Sequence, residues 1–266
     1  MDLEIDGRSC AVTGATRGIG LAVAERLCRE GARVVLVARS QHALDEAVLR
    51  CAEAGGEATG ISLDVTAPDA GERLVAAAEE RFGSLDVLVN NAGTSKRRGL
   101  DDVADDEWNA AWELNVMAPM RAMRAAIPRM VERGWGRVVN VCSSAGKRPT
   151  ISTPDYSVAK AAELSLSRVY AEVYAKQGVL VNAICPGPTQ SELWMAPGGL
   201  LDQTMESGGF SSREEALESV ASGRPIGRVA EVGEIADAIV FLCSERASYV
   251  AGAAWSVDGG SVPVII

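Results

Sequence analysis

Short apolar runs rich in β-branched residues alternate with longer amphipathic segments along the chain. The runs predict strands at Ser9–Thr13, Arg33–Ala38, Ala58–Leu63, Val87–Asn90, Arg137–Cys142, Val179–Ile184 and Ala253–Val257. The segments predict helices near Ile19–Glu30, His42–Glu53, Ala67–Phe82, Asp105–Glu132, Tyr156–Lys176 and Val232–Cys243. Apolar strands separated by helices indicate a parallel sheet covered on both faces. The pattern therefore predicts one α/β domain over residues 1–266, a doubly wound seven-stranded parallel sheet.

Residues 189–223 interrupt this alternation. The stretch contains Gly198-Gly199 and Gly208-Gly209 and also carries large apolar residues such as Trp194 and Phe210. A long insertion before the last helix is often a mobile lid over a binding site, and we predict a substrate lid here. A surface excursion that packs its own apolar residues is the alternative.

Composition narrows the classes of function. The 266 residues are 47% hydrophobic, enough for a large core, and the formal net charge of −10 argues against nucleic-acid or anionic-membrane binding. The acidic N-terminus is unlike a secretory signal, and no apolar run reaches the ~18 residues that span a bilayer. We expect a soluble, cytoplasmic protein with no membrane and no nucleic-acid partner.

Cysteine and histidine usage argues against a metal centre. The six cysteines form no C-x-x-C pair, and most lie in apolar stretches, as small buried hydrophobes do in a reducing compartment. His42 is the single histidine and lies in a polar stretch. The sequence therefore predicts no metal site and no histidine-centred triad.

A glycine-rich turn, Thr13-Gly14-Ala15-Thr16-Arg17-Gly18-Ile19-Gly20, joins the first predicted strand to the first predicted helix. Glycines there permit a tight turn and close approach of the backbone to a ligand, and a helix N-terminus attracts phosphate. In this strand–turn–helix context, a pyrophosphate site is favoured over a plain structural turn.

Further motifs follow in order. Asn90-Asn91-Ala92-Gly93 ends the fourth strand, Ser143 precedes Tyr156 by 13 positions, and Lys160 follows Tyr156 by four. Asn115, Pro186-Gly187 and Asp258-Gly259-Gly260 complete the set. With the G-x-x-x-G-x-G turn, these motifs resemble the short-chain dehydrogenase/reductase family over about residues 7–260. Within that family the chain is similar to bacterial 3-oxoacyl-(acyl-carrier-protein) reductase-like members.

The resemblance implies a single NAD(P)-binding Rossmann domain and an oxidoreductase that interconverts a carbonyl and a secondary alcohol. The Tyr-x-x-x-Lys spacing is that of the carbonyl-reducing branch, because enoyl-reductase relatives have a longer spacing. Helices Asp105–Glu132 and Tyr156–Lys176 match the family's oligomer interfaces, which implies a homotetramer or homodimer.

The resemblance also implies the cofactor-binding residues. These are Gly14, Thr16, Arg17, Gly18, Ile19, Gly20, Arg39, Ser40, Asp64, Val65, Asn91, Ala92, Gly93, Tyr156, Lys160, Pro186, Gly187 and Thr189. Asp64 would bind the adenine amino group, although an acid at this place can equally cap the next helix. Thr189 would contact the nicotinamide carboxamide, and Ser191 is an alternative for that contact.

The end of the second strand bears on the choice of cofactor. In Val37-Ala38-Arg39-Ser40, Ala38 stands where NAD-preferring family members have an acid. Arg39 and Arg17 offer cations to a 2′-phosphate, and the Ser40 hydroxyl can donate. We predict NADP(H) as cofactor, with NAD(H) as the alternative in which Arg39 is a solvated surface residue.

Tyr156 and Lys160 are predicted to share a helix face one turn apart. A tyrosine has a pKa near 10, and a nearby cation favours the phenolate, so we predict that Lys160 lowers the Tyr156 pKa for general acid/base catalysis. Ser143 is predicted to donate to the substrate carbonyl, in preference to Ser144. The resemblance implies that the backbone of Asn115 holds a water linking Lys160 to solvent, with a structural role as the alternative.

The substrate is predicted to be a small carbonyl or alcohol compound with an apolar body, because the lid is apolar. Lys96-Arg97-Arg98 and Lys147-Arg148 should flank the pocket and attract an anionic substrate, unless they are solvated loop charges. Gly134 and Gln177 stand near places where carrier-protein reductases present arginines, which weakens that reading without removing it. A non-catalytic NADP-binding regulator is a further alternative.

Overall fold

The computed structural model describes residues 2–263, and these form one seven-stranded sheet. The strands are β1 (Ser9–Thr13), β2 (Arg33–Ala38), β3 (Glu57–Ser62), β4 (Val87–Asn90), β5 (Gly136–Val141), β6 (Val179–Pro186) and β7 (Ala254–Val257). All neighbours pair in parallel, in the order β3-β2-β1-β4-β5-β6-β7. The predicted doubly wound sheet is confirmed. The strand order reverses between β1 and β4, which opens a crevice at their carboxyl ends.

Helices cover both faces of the sheet. They are α1 (Gly18–Arg29), α2 (Gln41–Glu53), α3 (Ala70–Phe82), α4 (Asp105–Trp112), α5 (Ala118–Glu132), α6 (Ser144–Lys147), α7 (Pro154–Tyr174), α8 (Glu192–Met195), α9 (Leu200–Gly208), α10 (Arg213–Ser222) and α11 (Val232–Leu242). Helices α1, α2 and α11 pack on one face, and α3, α5 and α7 pack on the other.

Strand β2 shows why the apolar runs form this sheet. Val34 and Leu36 are buried on the face that α1 and α2 cover, whereas Val35 and Val37 are buried on the face that α3 covers. Successive side chains of a strand point to opposite faces, so a strand covered on both sides needs a continuous apolar run.

The prediction of one continuous helix over Asp105–Glu132 is wrong, because the regular α-helix is interrupted near its middle. Helix α4 ends at Trp112, and a π-helical turn, Glu113–Met117, leads into α5. Pro119 has no backbone N–H, so it cannot give the carbonyl of Asn115 the bond that a regular α-helix requires four residues later. Such π turns are frequent at functional sites, and this one contains Asn115.

The predicted lid, residues 189–223, is folded and contains α8, α9 and α10. Leu200, Leu201 and Val220 are buried, so part of its apolar content packs inward. No helix within residues 2–263 is both long enough and apolar enough to cross a membrane.

Candidate active site

A single cleft at the carboxyl ends of the strands collects nearly all of the predicted site residues. The cleft is wide and open to solvent, and about 4390 Å³ of space lies within it when its open mouth is included. It is lined by Gly14, Thr16, Arg17, Gly18, Ile19, Arg39, Ser40, Asp64, Val65, Asn91, Ala92, Gly93, Asn115, Ser143, Tyr156, Lys160, Pro186, Gly187 and Thr189. Gly20 is the exception, because it is buried beneath the turn.

The glycine turn is fixed from below by the chain after β4. The Thr13 hydroxyl accepts hydrogen bonds from the backbone N–H groups of Asn91 and Ala92, at 2.9 and 3.0 Å. The Asn91 side-chain amide donates to the carbonyls of Thr13 and Gly14, at 2.9 and 3.2 Å. Gly14 has φ of +65°, and a Cβ there would lie 3.0 Å from the Cα of Ala92. The turn therefore requires glycine at this position.

The N-terminus of α1 suits a phosphate group. Arg17 occupies the N-cap position but makes no side-chain cap, so its side chain leaves the first N–H groups of the helix uncapped. Such N–H groups and the helix dipole favour an anion. A Cβ on Gly18 would lie 3.2 Å from Glu192 Oε2 and 3.3 Å from Ser191 Cβ, so the lid begins directly against this turn. The turn thus offers the backbone N–H donors that the phosphates of a dinucleotide need.

The side chains near the ends of β2 and β3 differ in whether they are free to contact a ligand or are already bonded to neighbouring residues. Arg17 and Arg39 are exposed at the cleft. The Ser40 hydroxyl accepts from the N–H of Ala43 as the N-cap of α2, which leaves its own proton free to donate. Asp64 accepts from the Thr66 N–H and hydroxyl, and these bonds, with a contribution from Arg39, hold its pKa below the usual value.

Ser143 lies two residues after the end of β5 and is the N-cap of α6. Its hydroxyl oxygen accepts from the backbone N–H of Ala145 at 3.1 Å. Because that bond uses an oxygen lone pair, the Ser143 proton remains available to a substrate carbonyl.

Tyr156 and Lys160 face each other on α7, as their spacing predicts. The Lys160 ammonium lies 5.7 Å from the centre of the Tyr156 ring, and its side chain is 2% exposed. It donates to the carbonyl of Val141 at 2.9 Å, which ties α7 to the end of β5. A Cβ on Gly93 would come 3.8 Å from the ammonium, so a glycine here leaves room beside it.

The Tyr156 pKa does not fall as the sequence predicts. Burial is the largest influence and raises the pKa of the phenol, while Lys160 and the Ser143 hydroxyl pull it down by less. The sign of the Lys160 contribution matches the prediction, but the net direction is upward. One reason is a buried acid, Glu163, whose negative charge also raises the Tyr156 pKa.

Glu163 is the site residue that sequence reasoning missed. Its carboxylate lies 2.7 Å from the Lys160 ammonium, and both side chains are 2% exposed. Although burial by itself lowers the Lys160 pKa, the Glu163 charge raises it above the usual value. The available signal was an acid three residues after Lys160, on the inner face of a helix whose neighbouring inward positions are small or apolar.

Asn115 lies beside the same ammonium from the π turn. Its side-chain amide donates to the carbonyl of Ala111 at 2.9 Å, but its Oδ1 atom is buried without a partner among the described residues. That atom lies 3.3 Å from the position a Cβ on Gly93 would take. An unpaired buried acceptor is costly, so this is a place suited to a bridging water.

The basic loops are only partly as predicted. Residues 96–98 line the cleft, but Arg98 is engaged by Glu107 and Asp155. Arg148 also lines the cleft, whereas Lys147 does not, which corrects the prediction for that residue. The Lys147 ammonium instead donates to the carbonyl of Ala254 and the hydroxyl of Ser256, because α6 turns it toward β7.

Comparison with known proteins identifies the family. The family model described as enoyl-(acyl carrier protein) reductase matches residues 14–261. The chain belongs to the short-chain dehydrogenase/reductase family. It is 33% identical over 258 residues to a 3-oxoacyl-[acyl-carrier-protein] reductase of Vibrio cholerae, covering 97% of this chain and 98% of that relative. As a member of this family it is an oxidoreductase.

Solved structures agree with this assignment. The structure of L-sorbose reductase from Gluconobacter frateurii with NADPH and L-sorbose matches with a TM-score of 0.93 and 37% identity, over 100% of both chains. A variant of actinorhodin polyketide ketoreductase with NADPH matches with a TM-score of 0.91 and 34% identity, over 97% of this chain and 98% of that one. The short-chain dehydrogenase/reductase fold of this protein is therefore complete from the glycine turn to β7.

Proposed function

We propose that this protein is an NADP(H)-dependent oxidoreductase that interconverts a carbonyl and a secondary alcohol, with Tyr156 as general acid/base. The observation that carries the proposal is the convergence of Ser143, Tyr156 and Lys160 at one wall of the cleft that begins at the glycine turn. The experiment that tests it is a carbonyl and alcohol panel followed at the absorbance of reduced nicotinamide.

The proposed chemistry assigns one task to each side chain. The nicotinamide, when bound, supplies or accepts the hydride. Ser143 donates a hydrogen bond to the substrate oxygen and so polarises the carbonyl, while keeping its proton. Tyr156 gives its proton to that oxygen as negative charge develops, and its raised pKa means that the phenol is protonated and ready to donate at neutral pH.

The proton on Tyr156 must be replaced after each reduction. Lys160 lies next to the phenol, and the unpartnered Oδ1 of Asn115 lies near Lys160. We propose that a water held at Asn115 connects Lys160 to solvent, so that protons reach Tyr156 through the ammonium. The π turn supports this role, because Pro119 has no N–H to donate to the backbone carbonyl of Asn115, and Asn115 lines the cleft.

Ser143→Ala is expected to lower kcat for carbonyl reduction by about a hundredfold to a thousandfold, as loss of one oxyanion donor does. Steady-state kinetics with one reactive ketone measures this loss. Ser144→Ala is the matched control, since Ser144 is the next residue and also lines the cleft. The assignment of the donor is wrong if the Ser144 variant loses as much as the Ser143 variant.

The proposed preference for NADPH over NADH is based on the residues at the end of β2. Ala38 leaves no acid to repel a 2′-phosphate, and Arg39 and Arg17 are both exposed and line the cleft. NADPH in the two solved relatives supports this choice.

Arg39→Ala is expected to lower kcat/KM for NADPH by about tenfold and to leave NADH nearly unchanged, because a charge-assisted bond to phosphate is worth at least ~1.5 kcal/mol. Arg29→Ala is the control, since Arg29 is an exposed arginine at the end of α1 and does not line the cleft. Equal losses with both cofactors would argue against a 2′-phosphate contact at Arg39.

The substrate we propose is a small carbonyl or alcohol compound with an apolar body. Leu193, Trp194 and Leu200 of the lid line the cleft and provide an apolar wall. A carrier-protein substrate is less well supported, because Arg133, which adjoins Gly134, is engaged by the carbonyl of Leu85 and by Asp86.

We also propose that the protein is a homotetramer or homodimer. Helices α4 and α7 carry exposed apolar side chains at Trp112, Val158, Val169 and Val173, each more than 40% exposed. Large apolar side chains grouped on a surface are typical of an interface.

A further inference from the structure

We propose that Glu163 is a positioning residue that holds Lys160, and that its charge keeps the Tyr156 phenol protonated at higher pH than Lys160 alone would allow. The part of this inference that concerns turnover rests on the proposed function. The part that concerns the phenol can be measured on the protein without cofactor.

The backbone and side chain of Glu163 are both fixed. Its carboxylate is 2.7 Å from the Lys160 ammonium, three residues earlier on α7. Its carbonyl accepts from the Ser167 hydroxyl at 2.8 Å, and Ser167 in turn accepts from the Asn140 amide of β5 at 2.8 Å. The Glu163 carboxylate is therefore held against the sheet and is shielded from solvent.

The Glu163 carboxylate helps to determine which N–H donor of the Lys160 ammonium faces the cleft. An ammonium has three N–H donors, and two of them point to the Val141 carbonyl and to Glu163. Only the third remains for the cleft, on the side where Gly93 leaves space. Without Glu163, the ammonium would keep one protein acceptor and would be free to rotate or tilt.

Four titratable side chains within residues 2–263 lie close to Glu163. Lys160 and Tyr156 face it along α7, Cys142 lies against it at the end of β5, and Cys185 of β6 lies close enough to respond to its charge. Burial raises the pKa of Cys142 well above its usual value and that of Cys185 to about 11, so both thiols are neutral at physiological pH. Among residues 2–263, the buried charges that face Tyr156 are therefore the Lys160 ammonium and the Glu163 carboxylate.

This balance decides the protonation state of the phenol. A lone buried ammonium would favour the phenolate, whereas a neutral ammonium–carboxylate pair does so much less. If the carboxylate is removed, the Tyr156–Lys160 pair is left with a net positive charge in a buried place, and it must lose its first proton at a lower pH. This conclusion holds for the pair, whichever of the two side chains releases the proton.

Glu163→Gln tests the charge while keeping the shape and one oxygen acceptor. In the protein without cofactor, we expect the Tyr156 tyrosinate absorption, obtained by subtracting the spectrum of the same protein with Tyr156→Phe, to appear about one pH unit or more lower than in the wild type. Glu172→Gln is the matched control, because Glu172 is on the same helix and its ion pair with Arg168 is exposed. We expect its titration to coincide with that of the wild type.

Glu163→Asp keeps the charge but shortens the side chain, and it serves if the Gln variant does not fold. We expect its tyrosinate titration to stay with the wild type, while kcat falls more than KM changes because Lys160 is displaced. In the Gln variant, the alkaline limb of kcat/KM for carbonyl reduction should move down in pH with the titration.

The inference is overturned if the tyrosinate absorption of the folded Glu163→Gln variant appears at the same pH as that of the wild type. It is also overturned if the absorption of the Glu163→Asp variant appears at the lower pH expected for Glu163→Gln. A downward shift in the Gln variant, together with no turnover of any carbonyl by the wild type, would uphold the electrostatic role of Glu163 and reject the proposed function instead.

Discussion

Tyr156→Phe is expected to lower kcat/KM for carbonyl reduction by about a hundredfold to ten thousandfold, the contribution of a well-placed general acid. The change removes one oxygen atom and keeps the aromatic ring. Binding of NADPH should persist, because the glycine turn and the groups at the end of β2 are untouched. Turnover and cofactor fluorescence titration measure the two effects separately.

Tyr249→Phe is the control for this variant, because Tyr249 is fully exposed and does not line the cleft. It should keep wild-type activity. If Tyr156→Phe retained normal kcat/KM while it remained folded, the phenol would not be the proton donor, and the assignment of Tyr156 would have to be abandoned.

Lys160→Met is expected to have the largest effect on stability and to abolish most activity. It leaves the Glu163 carboxylate buried without its cation, and breaking a buried pair in this way costs about 3–5 kcal/mol. Without the ammonium, burial raises the Glu163 pKa further above its unfolded value near 4.3. The loss of unfolding free energy should therefore be small in acid and grow as the pH rises above that value.

Urea unfolding of the wild type and the variant at about pH 5 and about pH 8 measures this dependence. Adding Glu163→Leu to Lys160→Met should recover much of the lost stability, since an apolar pair avoids the unpaired charge. The double variant should remain inactive. A deficit that is the same at both pH values, with no recovery in the double variant, would contradict the buried pair.

The sheet could be predicted from the sequence because its strands are buried on both faces. A continuous apolar run such as Val34–Val37 buries alternate side chains in the two cores, one on each face of the sheet. The run therefore shows where along the chain the strand lies. Tyr156 and Lys160 could be placed together for a similar reason, since a four-residue step on a helix leaves little freedom.

Other features depend on contacts that the pattern does not contain. The π turn at Asn115 lies in a segment whose apolar spacing is that of one long helix, and only Pro119 indicates the break. The upward direction of the Tyr156 pKa depended mainly on burial of the phenol, to which the Glu163 charge adds, and both follow from how α7 packs against the sheet. Lys147 was misplaced because the short helix α6 turns it toward β7 instead of the cleft.

The most direct test of the account is transfer of deuterium from NADPH labelled at C4 to a ketone, with the alcohol product analysed by mass spectrometry. The account predicts that the wild type places one deuterium on the carbinol carbon from one face of the nicotinamide. It predicts that Tyr156→Phe binds the labelled cofactor but forms almost no labelled alcohol. Labelled alcohol formed equally well by both proteins would contradict it.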